Sequence, residues 1–211
     1  MLAFVLRRRD LREYDQMISF YTRETGKIDI LAKGIKKITS KNSSAAEPPA
    51  LCEIEIAGGK DMAHLTKVQP VELYANIRKS LAKSAAAAYA LRILEDFTLS
   101  GERDERVFLL VLGFLKFLDE SRRFGALDLV NGYLLKLWDL FGFGGGFDKT
   151  FRLQATEKDC VKKYLGKDWG ACAPDARTAA KINKLIGAYV GMHSEKPLAD
   201  FAKDAKILGI I

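Results

Sequence analysis

The sequence has little of what builds a stapled or metal-held protein. Three of its 211 residues are cysteine and two are histidine, and no two cysteines are spaced C-x-x-C. Three cysteines cannot pair completely, which excludes a secreted disulfide scaffold and points to a reducing compartment. The longest nearly apolar run, Val107 to Leu118, is broken by Lys116 and falls short of the ~18 residues that suggest a membrane span. At the N-terminus, MLAFVLRRRD puts its apolar stretch before its positive charges and has no small-residue cleavage site, the wrong order for a secretory signal. A cytosolic globular protein is expected. Catalytic patterns are missing as well. There is no G-x-S-x-G turn, no Cys/His couple and no acidic cluster at metal-ligand spacing. Glu53 and Glu55 share a face only because a strand alternates. Nothing supplies a nucleophile with an oriented base, so the expectation is a non-enzymatic protein with no metal and no cofactor.

What is present is a folding core and an uneven surplus of positive charge. Hydrophobic residues make up 48% and charged residues 29%, the balance of a folded chain. A chain of this length makes one large or two small domains and buries roughly 70% of its unfolded surface. The net charge is +7. Residues 1–44 carry a net +5, residues 45–150 a net −2 and residues 151–211 a net +4. Basic ends around a near-neutral middle suggest contact with a polyanion at one or both ends.

The first ~70 residues alternate with the period of strands. Leu2–Leu6 is a short apolar strand that ends at Arg7-Arg8-Arg9. Asp15–Arg23 reads as a second strand, Glu24-Thr25-Gly26 as a hairpin turn and Lys27–Lys33 as the return strand, with Ile28, Ile30 and Ala32 on one face. A long loop follows from Gly34 to Pro49. Leu51–Ile56 then alternates, with Cys52, Ile54 and Ile56 inward and Glu53 and Glu55 outward. Gly58-Gly59-Lys60-Asp61 reads as a turn, and Met62–Val68 as a fifth strand. Five short antiparallel strands suit a small closed barrel, because closure removes sheet edges. After Pro70 the period becomes ~3.6. A long helix is expected from about Tyr74 to Ser100, and others carry Val107–Leu118, Leu127–Phe141 and Pro174–Gly191, with a short one after Pro197. The fold class is α+β: a β-barrel over 1–72, then an all-helical domain over 73–211 with a Gly-rich irregular segment at about 142–173.

FGFGGGF, residues 141–147, lacks the Lys and hydroxyl of a phosphate loop and follows no strand, so it reads as a helix-ending linker. Cys160 and Cys172 offer two ligands where tetrahedral zinc needs four, and read as unrelated cysteines. His64 and His193 read as surface or packing residues. The basic set is the remaining signal. Arg7, Arg8, Arg9, Lys27, Lys33, Lys36, Lys37 and Lys41 lie at strand ends and loops that converge on one groove in a small barrel, where they would track phosphates. Phe20 and Tyr21 lie on opposite faces of their strand, and Tyr21, with its polar tip, is the expected base-stacking residue.

Residues 5–41 carry a resemblance. Arg8 or Arg9 shortly before Glu13-Tyr14-Asp15, then Phe20-Tyr21-Thr22-Arg23, Gly26-Lys27 and Ala32-Lys33-Gly34, resemble the start of the bacterial DNA repair protein RecO family. HSEKPLADFAKDAKIL resembles its terminal helix. The resemblance implies an oligonucleotide-binding barrel in a protein that binds single- and double-stranded DNA, anneals complementary strands and mediates recombination. It further implies work with RecR, and often RecF, to load recombinase, and a helical domain that receives the C-terminal tail of single-stranded-DNA-binding protein. It places the protein in the cytoplasm, at the nucleoid. A cleft near Arg122-Arg123 or the basic C-terminal stretch suits such a tail, with no receiving residue assigned. Two departures stand out: Arg12 replaces a frequent Gly, and the family's four-cysteine zinc element is missing. A protein-interaction adaptor, or an RNA-binding protein on the same barrel, remain alternatives.

Overall fold

A computed structural model describes residues 1–37, 43–58, 63–122 and 125–210. The chain divides into two compact units, one of Met1–Ala75 with Leu91–Phe108, the other of Asn76–Ala90 with Leu109–Ile211.

The first unit is built on five strands: β1 (Leu2–Asp10), β2 (Gln16–Thr22), β3 (Gly26–Ala32), β4 (Leu51–Ala57) and β5 (His64–Glu72). They close a barrel in the order β1-β2-β3-β5-β4. The β1–β2, β2–β3, β4–β5 and β1–β4 pairs are antiparallel, and the closing β3–β5 pair is parallel, through Leu31 and His64. This is the oligonucleotide-binding fold. The interior is small and aliphatic, with Ala3, Val5, Ile18, Phe20, Ile30, Cys52, Ile54 and Val68 all buried. The expected inward faces of β3 and of Cys52 and Ile54 are thus present. The second half of the long loop also enters the core: Ala45, Ala46 and Ala50 are buried against it, the Val5 amide donates to Ala50 O at 3.1 Å, and Cys52 Sγ reaches Ala45 O at 3.0 Å. Small alanines are what fit beside a barrel end already filled by Phe20 and the isoleucines.

A β-bulge and a strand end correct the strand readings. β1 does not stop at Leu6 but runs on through the arginines, because ladder hydrogen bonds need only backbone. Its pairing slips between Val5 and Arg7, which oppose Phe20 and Ser19 respectively. The extra residue inverts parity, so Arg8 comes opposite Ile18 on the inner side while Arg7 and Arg9 face out. Near the end of β4, Ile56 lies opposite Leu65, which packs against the core, yet is 40% exposed where simple alternation buries it. The β5 expectation begins at Met62, which lies outside the described residues, as do Gly59, Lys60 and Asp61; the strand itself continues through Pro70 to Glu72.

The helices are α1 (Ala75–Arg78), α2 (Leu81–Phe97), α3 (Glu105–Glu120), α4 (Ala126–Leu140), α5 (Phe147–Thr150), α6 (Ala155–Leu165), α7 (Ala176–His193) and α8 (Phe201–Ile207). The long helix expected from Tyr74 is therefore two helices, with a break at Lys79-Ser80. In the second unit α4 is buried nearly all round. Phe114 of α3 stacks on Tyr133 of α4 at 4.8 Å, and Asn183 of α7 donates to Asn131 of α4 at 2.8 Å. Residues 141–147 form a turn with a short 3-10 segment at Gly144–Gly146, closed by Trp138 against Phe141 and Phe143, with Tyr189 donating to Phe143 O at 2.7 Å. The turn ends a helix, as its composition suggests. His193 packs on the Tyr189 ring at 4.6 Å. Among the described residues no helix is long and apolar enough to cross a membrane.

Candidate nucleic-acid interface

The outer face of β1, β2 and β3 carries Phe4, Arg7 and Arg9, then Met17, Ser19 and Tyr21, then Lys27, Asp29 and Leu31. In a barrel of this kind the outer surface of strands 2 and 3, with the turn between strands 1 and 2, is where oligonucleotides bind. Here part of that face is already occupied. Residues 91–108 lie across it: Phe4 stacks on Phe108 at 4.8 Å, Tyr21 donates to Asp104 O at 3.3 Å, and Lys27 Nζ donates to Glu95 O at 2.7 Å.

This overturns the expectation for Tyr21. The residue faces out of the barrel, as its parity requires, yet it is 1% exposed, and burial pushes its phenol up to about 12. It is a packing residue between sheet and helix and offers no ring to a base. Phe20 and Tyr21 are both buried, one inside the barrel and one beneath the 91–108 segment; the second layer was invisible to strand alternation.

The cations divide into three groups. Arg8 is drawn inside, its side chain 11% exposed, and is held by Gln16 Oε1 at 2.7 Å, Ser43 O at 3.1 Å and the Glu47 carboxylate. All its work is to pin the loop segment over the barrel end, so it is removed from the phosphate-binding set. Replacing Arg8 with alanine is expected to destabilise the barrel by roughly 1–3 kcal/mol, read as a lower urea midpoint. The salt dependence of nucleic-acid binding should stay unchanged; a weaker slope would return Arg8 to the interface.

Arg7 and Arg9 form the second group, exposed but braced. Arg7 lies 3.8 Å from Glu95, and Arg9 lies 3.2 Å from Asp29 and 3.4 Å from Ser19 Oγ. Ser19 bonds Asp29 and stands 3.3 Å from Glu95, so its single hydroxyl proton lies between the carboxylates beside the two guanidiniums. Lys27 belongs with them by position, but its ammonium is spent on the helix carbonyl.

The third group stands at the end of the barrel where the β1–β2 turn meets the segment after β3. Leu11 and Arg12 amides both donate to Asp15 O, at 3.1 and 3.2 Å. The Gly34 amide donates to Asp15 Oδ1 at 2.7 Å and the Lys36 amide to Tyr14 O at 3.1 Å. These bonds bring Lys33, Lys36 and Lys37 beside Arg12. Lys36 pairs with Asp10 at 2.8 Å; Lys37 Nζ sits 5.7 Å from the centre of the Tyr14 ring; Lys33 is exposed and makes no ion pair among the described residues. Lys41 lies outside the described residues.

Residues 1–74 match the family described as Recombination protein O N terminal, and residues 78–185 match Recombination protein O C terminal. The chain belongs to the RecO family. It is similar to the DNA repair protein RecO of Pelotomaculum thermopropionicum, 31% identical over 86% of this chain and 71% of that protein. It is also similar to the DNA repair protein RecO of Frankia casuarinae, 28% identical over 92% and 93% of the two chains, and to that of Geobacter sulfurreducens, 32% identical over 64% and 59%. Membership confirms the resemblance read in residues 5–41 and extends it through most of the helical part.

The RecO-type zinc element finds no support in the side chains present. Cys160 and Cys172 are neighbours in space, both buried on the wall of one groove. Burial, and Cys160 beside it, push the Cys172 thiol up to about 12. Among the described residues, however, no group of three or more His, Cys, Asp or Glu side chains is placed to hold a metal. Two thiols do not make a tetrahedral site. Of the cleft considered for a partner tail, Arg123 lies outside the described residues.

The sequence reading assigned Tyr14 no role, yet it stands exposed on the β1–β2 turn. The signal was present: an aromatic between Glu13 and Asp15 in a short turn has no strand face to hide on.

Proposed function

We propose that this chain acts in DNA repair as a non-enzymatic recombination mediator that binds DNA through the cationic end of its barrel and anneals complementary strands. The observation that carries the reading is the convergence of Arg12, Lys33, Lys36 and Lys37 on one end of an oligonucleotide-binding barrel, flanked by the braced pair Arg7 and Arg9. Relatives that bear the name DNA repair protein supply the biological setting.

The mechanism is electrostatic. Two strands approaching one another repel through their phosphates, and cations held on a rigid surface replace the diffuse counterions that otherwise screen them. Ions released from the strands drive binding, so affinity falls as salt rises. Arg9 keeps its geometry between uses because Asp29 holds it, and Arg7 has the Glu95 carboxylate 3.8 Å away. A phosphate must displace or share that pairing, which keeps binding reversible and lets the strands exchange. The proposed partners are RecR, RecF and the C-terminal tail of single-stranded-DNA-binding protein, with loading of recombinase as the proposed outcome and the cytoplasm as the proposed place.

The test is a strand-annealing and binding assay on the whole chain across a salt series, with and without single-stranded-DNA-binding protein. Three to five phosphate contacts give a slope of log affinity against log salt of roughly −2 to −3.5 on single strands, with annealing accelerated over the same range. Salt-independent binding, or annealing no faster than in buffer, would overturn the proposal. A matched RNA strand that outcompetes DNA would move the chain to the RNA-binding alternative.

A further inference from the structure

We propose that Tyr14 is a base-stacking platform, so that the barrel end grips the flat face of an unpaired nucleobase as well as the phosphates beside it. The inference rests on the nucleic-acid reading above and names the part of the ligand that charge alone does not recognise.

Of the seven tyrosines, Tyr21, Tyr74, Tyr89, Tyr133, Tyr164 and Tyr189 are buried, while Tyr14 is 46% exposed and its neighbour Leu11 is 51% exposed. An aromatic and a leucine left in water on one five-residue turn lose the burial that large apolar side chains normally gain. The same turn is unusually well tied. Its own amides close on Asp15 O, its Tyr14 carbonyl accepts from the Lys36 amide, and Asp15 caps the Gly34 amide. The ring is therefore carried on a fixed backbone, and ordering it costs little on binding.

Charge sorts the ligand around it. Lys37 stands 5.7 Å from the ring centre, close enough for its attraction to the ring face and for a phosphate one nucleotide away. Glu13 and Asp15 flank the tyrosine in sequence and repel a phosphate from the ring itself. A strand that places its phosphates on the lysines thus has its uncharged base as the group able to meet Tyr14. A phenol carries no charge at neutral pH, and Glu13 beside it raises this one further above its ordinary range. Every base has a π face, so the contact adds affinity for single strands without preference for sequence.

The experiment compares the whole chain with Tyr14→Ala and Tyr14→Phe by fluorescence anisotropy, using an oligothymidylate and an abasic phosphodiester strand of equal length. Tyr14→Ala is expected to weaken oligothymidylate binding about tenfold, with the salt slope unchanged. It should leave the abasic strand unaffected, and Tyr14→Phe should bind as the parent does. Equal losses on both strands would overturn the inference, because the turn would then be holding phosphates. So would an unchanged affinity of Tyr14→Ala for oligothymidylate. If the unaltered chain binds neither strand at low salt, the nucleic-acid reading falls together with this one; salt-dependent binding that ignores the bases sinks only Tyr14.

Discussion

With Lys33, Lys36 and Lys37 all replaced by alanine, the chain is expected to bind single-stranded DNA about 25- to 100-fold more weakly at 0.1 M salt. Each phosphate contact adds roughly −0.7 to the slope of log affinity against log salt on a single strand. Removing three contacts flattens that slope by about 2, and at 0.1 M salt a slope change of that size is about a hundredfold in affinity. The lower figure holds if Lys36, already paired to Asp10 at 2.8 Å, contributes little. The deficit should shrink as salt approaches 1 M, where counterion release no longer favours binding, and should be the same for every sequence, since phosphates carry no base identity. Lys33 and Lys37 are exposed, so the triple variant should keep its fold. Anisotropy titrations at four or more salt concentrations provide the check. An unaltered slope would place the phosphates elsewhere, and Arg7 and Arg9 would be the next to change.

Gly26→Ala is expected to cost more than 3 kcal/mol of stability and to break the barrel's packing against residues 98–108. Gly26 has φ +71, a conformation that costs an L-residue roughly 1–2 kcal/mol. Here the geometry adds a collision, because a Cβ would lie 2.0 Å from Glu102 O and 2.5 Å from the Glu102 carbonyl carbon. Neither partner is a flexible side chain, so the backbone must part. The contacts at stake are the neighbouring ones, in which Gly101 N donates to Lys27 O at 2.9 Å and Ser100 Oγ to the same carbonyl at 3.3 Å. Gly101 supplies the control: its φ is +80, yet a Cβ there meets nothing within 4 Å. Gly101→Ala should therefore lose only the conformational penalty. The difference between the two urea midpoints measures the collision. Near-equal losses would show that the 98–108 segment gives way without cost.

The parts of this molecule legible beforehand are those in which local pattern and fold agree. Ile28, Ile30 and Ala32 alternate because β3 buries one face; Cys52 and Ile54 do so for the same reason. The helical period after Pro70 yields most of the helices within a few residues. Residues 5–41 carry enough of a shared pattern to indicate the family. What escaped was decided by contacts between segments far apart in the chain. A single bulge at Leu6 moves Arg8 from outside to inside and hands it to Ser43 and Glu47, and no periodicity announces where a ladder will slip. Tyr21 points out of the barrel as alternation demands, but whether outside means water depends on what lies across that face, here the segment that includes Asp104. Cys160 and Cys172, twelve positions apart, line one groove because the loop after α6 carries Cys172 back beside that helix.

Sequence by itself determined the barrel-then-helices order, the family, and the concentration of positive charge near the N-terminus, because backbone periodicity and composition are properties of neighbours along the chain. Only the tertiary structure decided which cations remain available to a ligand and which aromatic stands in water. That availability is set by burial and by ion pairs such as Arg7 with Glu95, 88 positions away, and Arg9 with Asp29. Solvent exposure is a property of packed surfaces, and a surface exists only once distant segments have met.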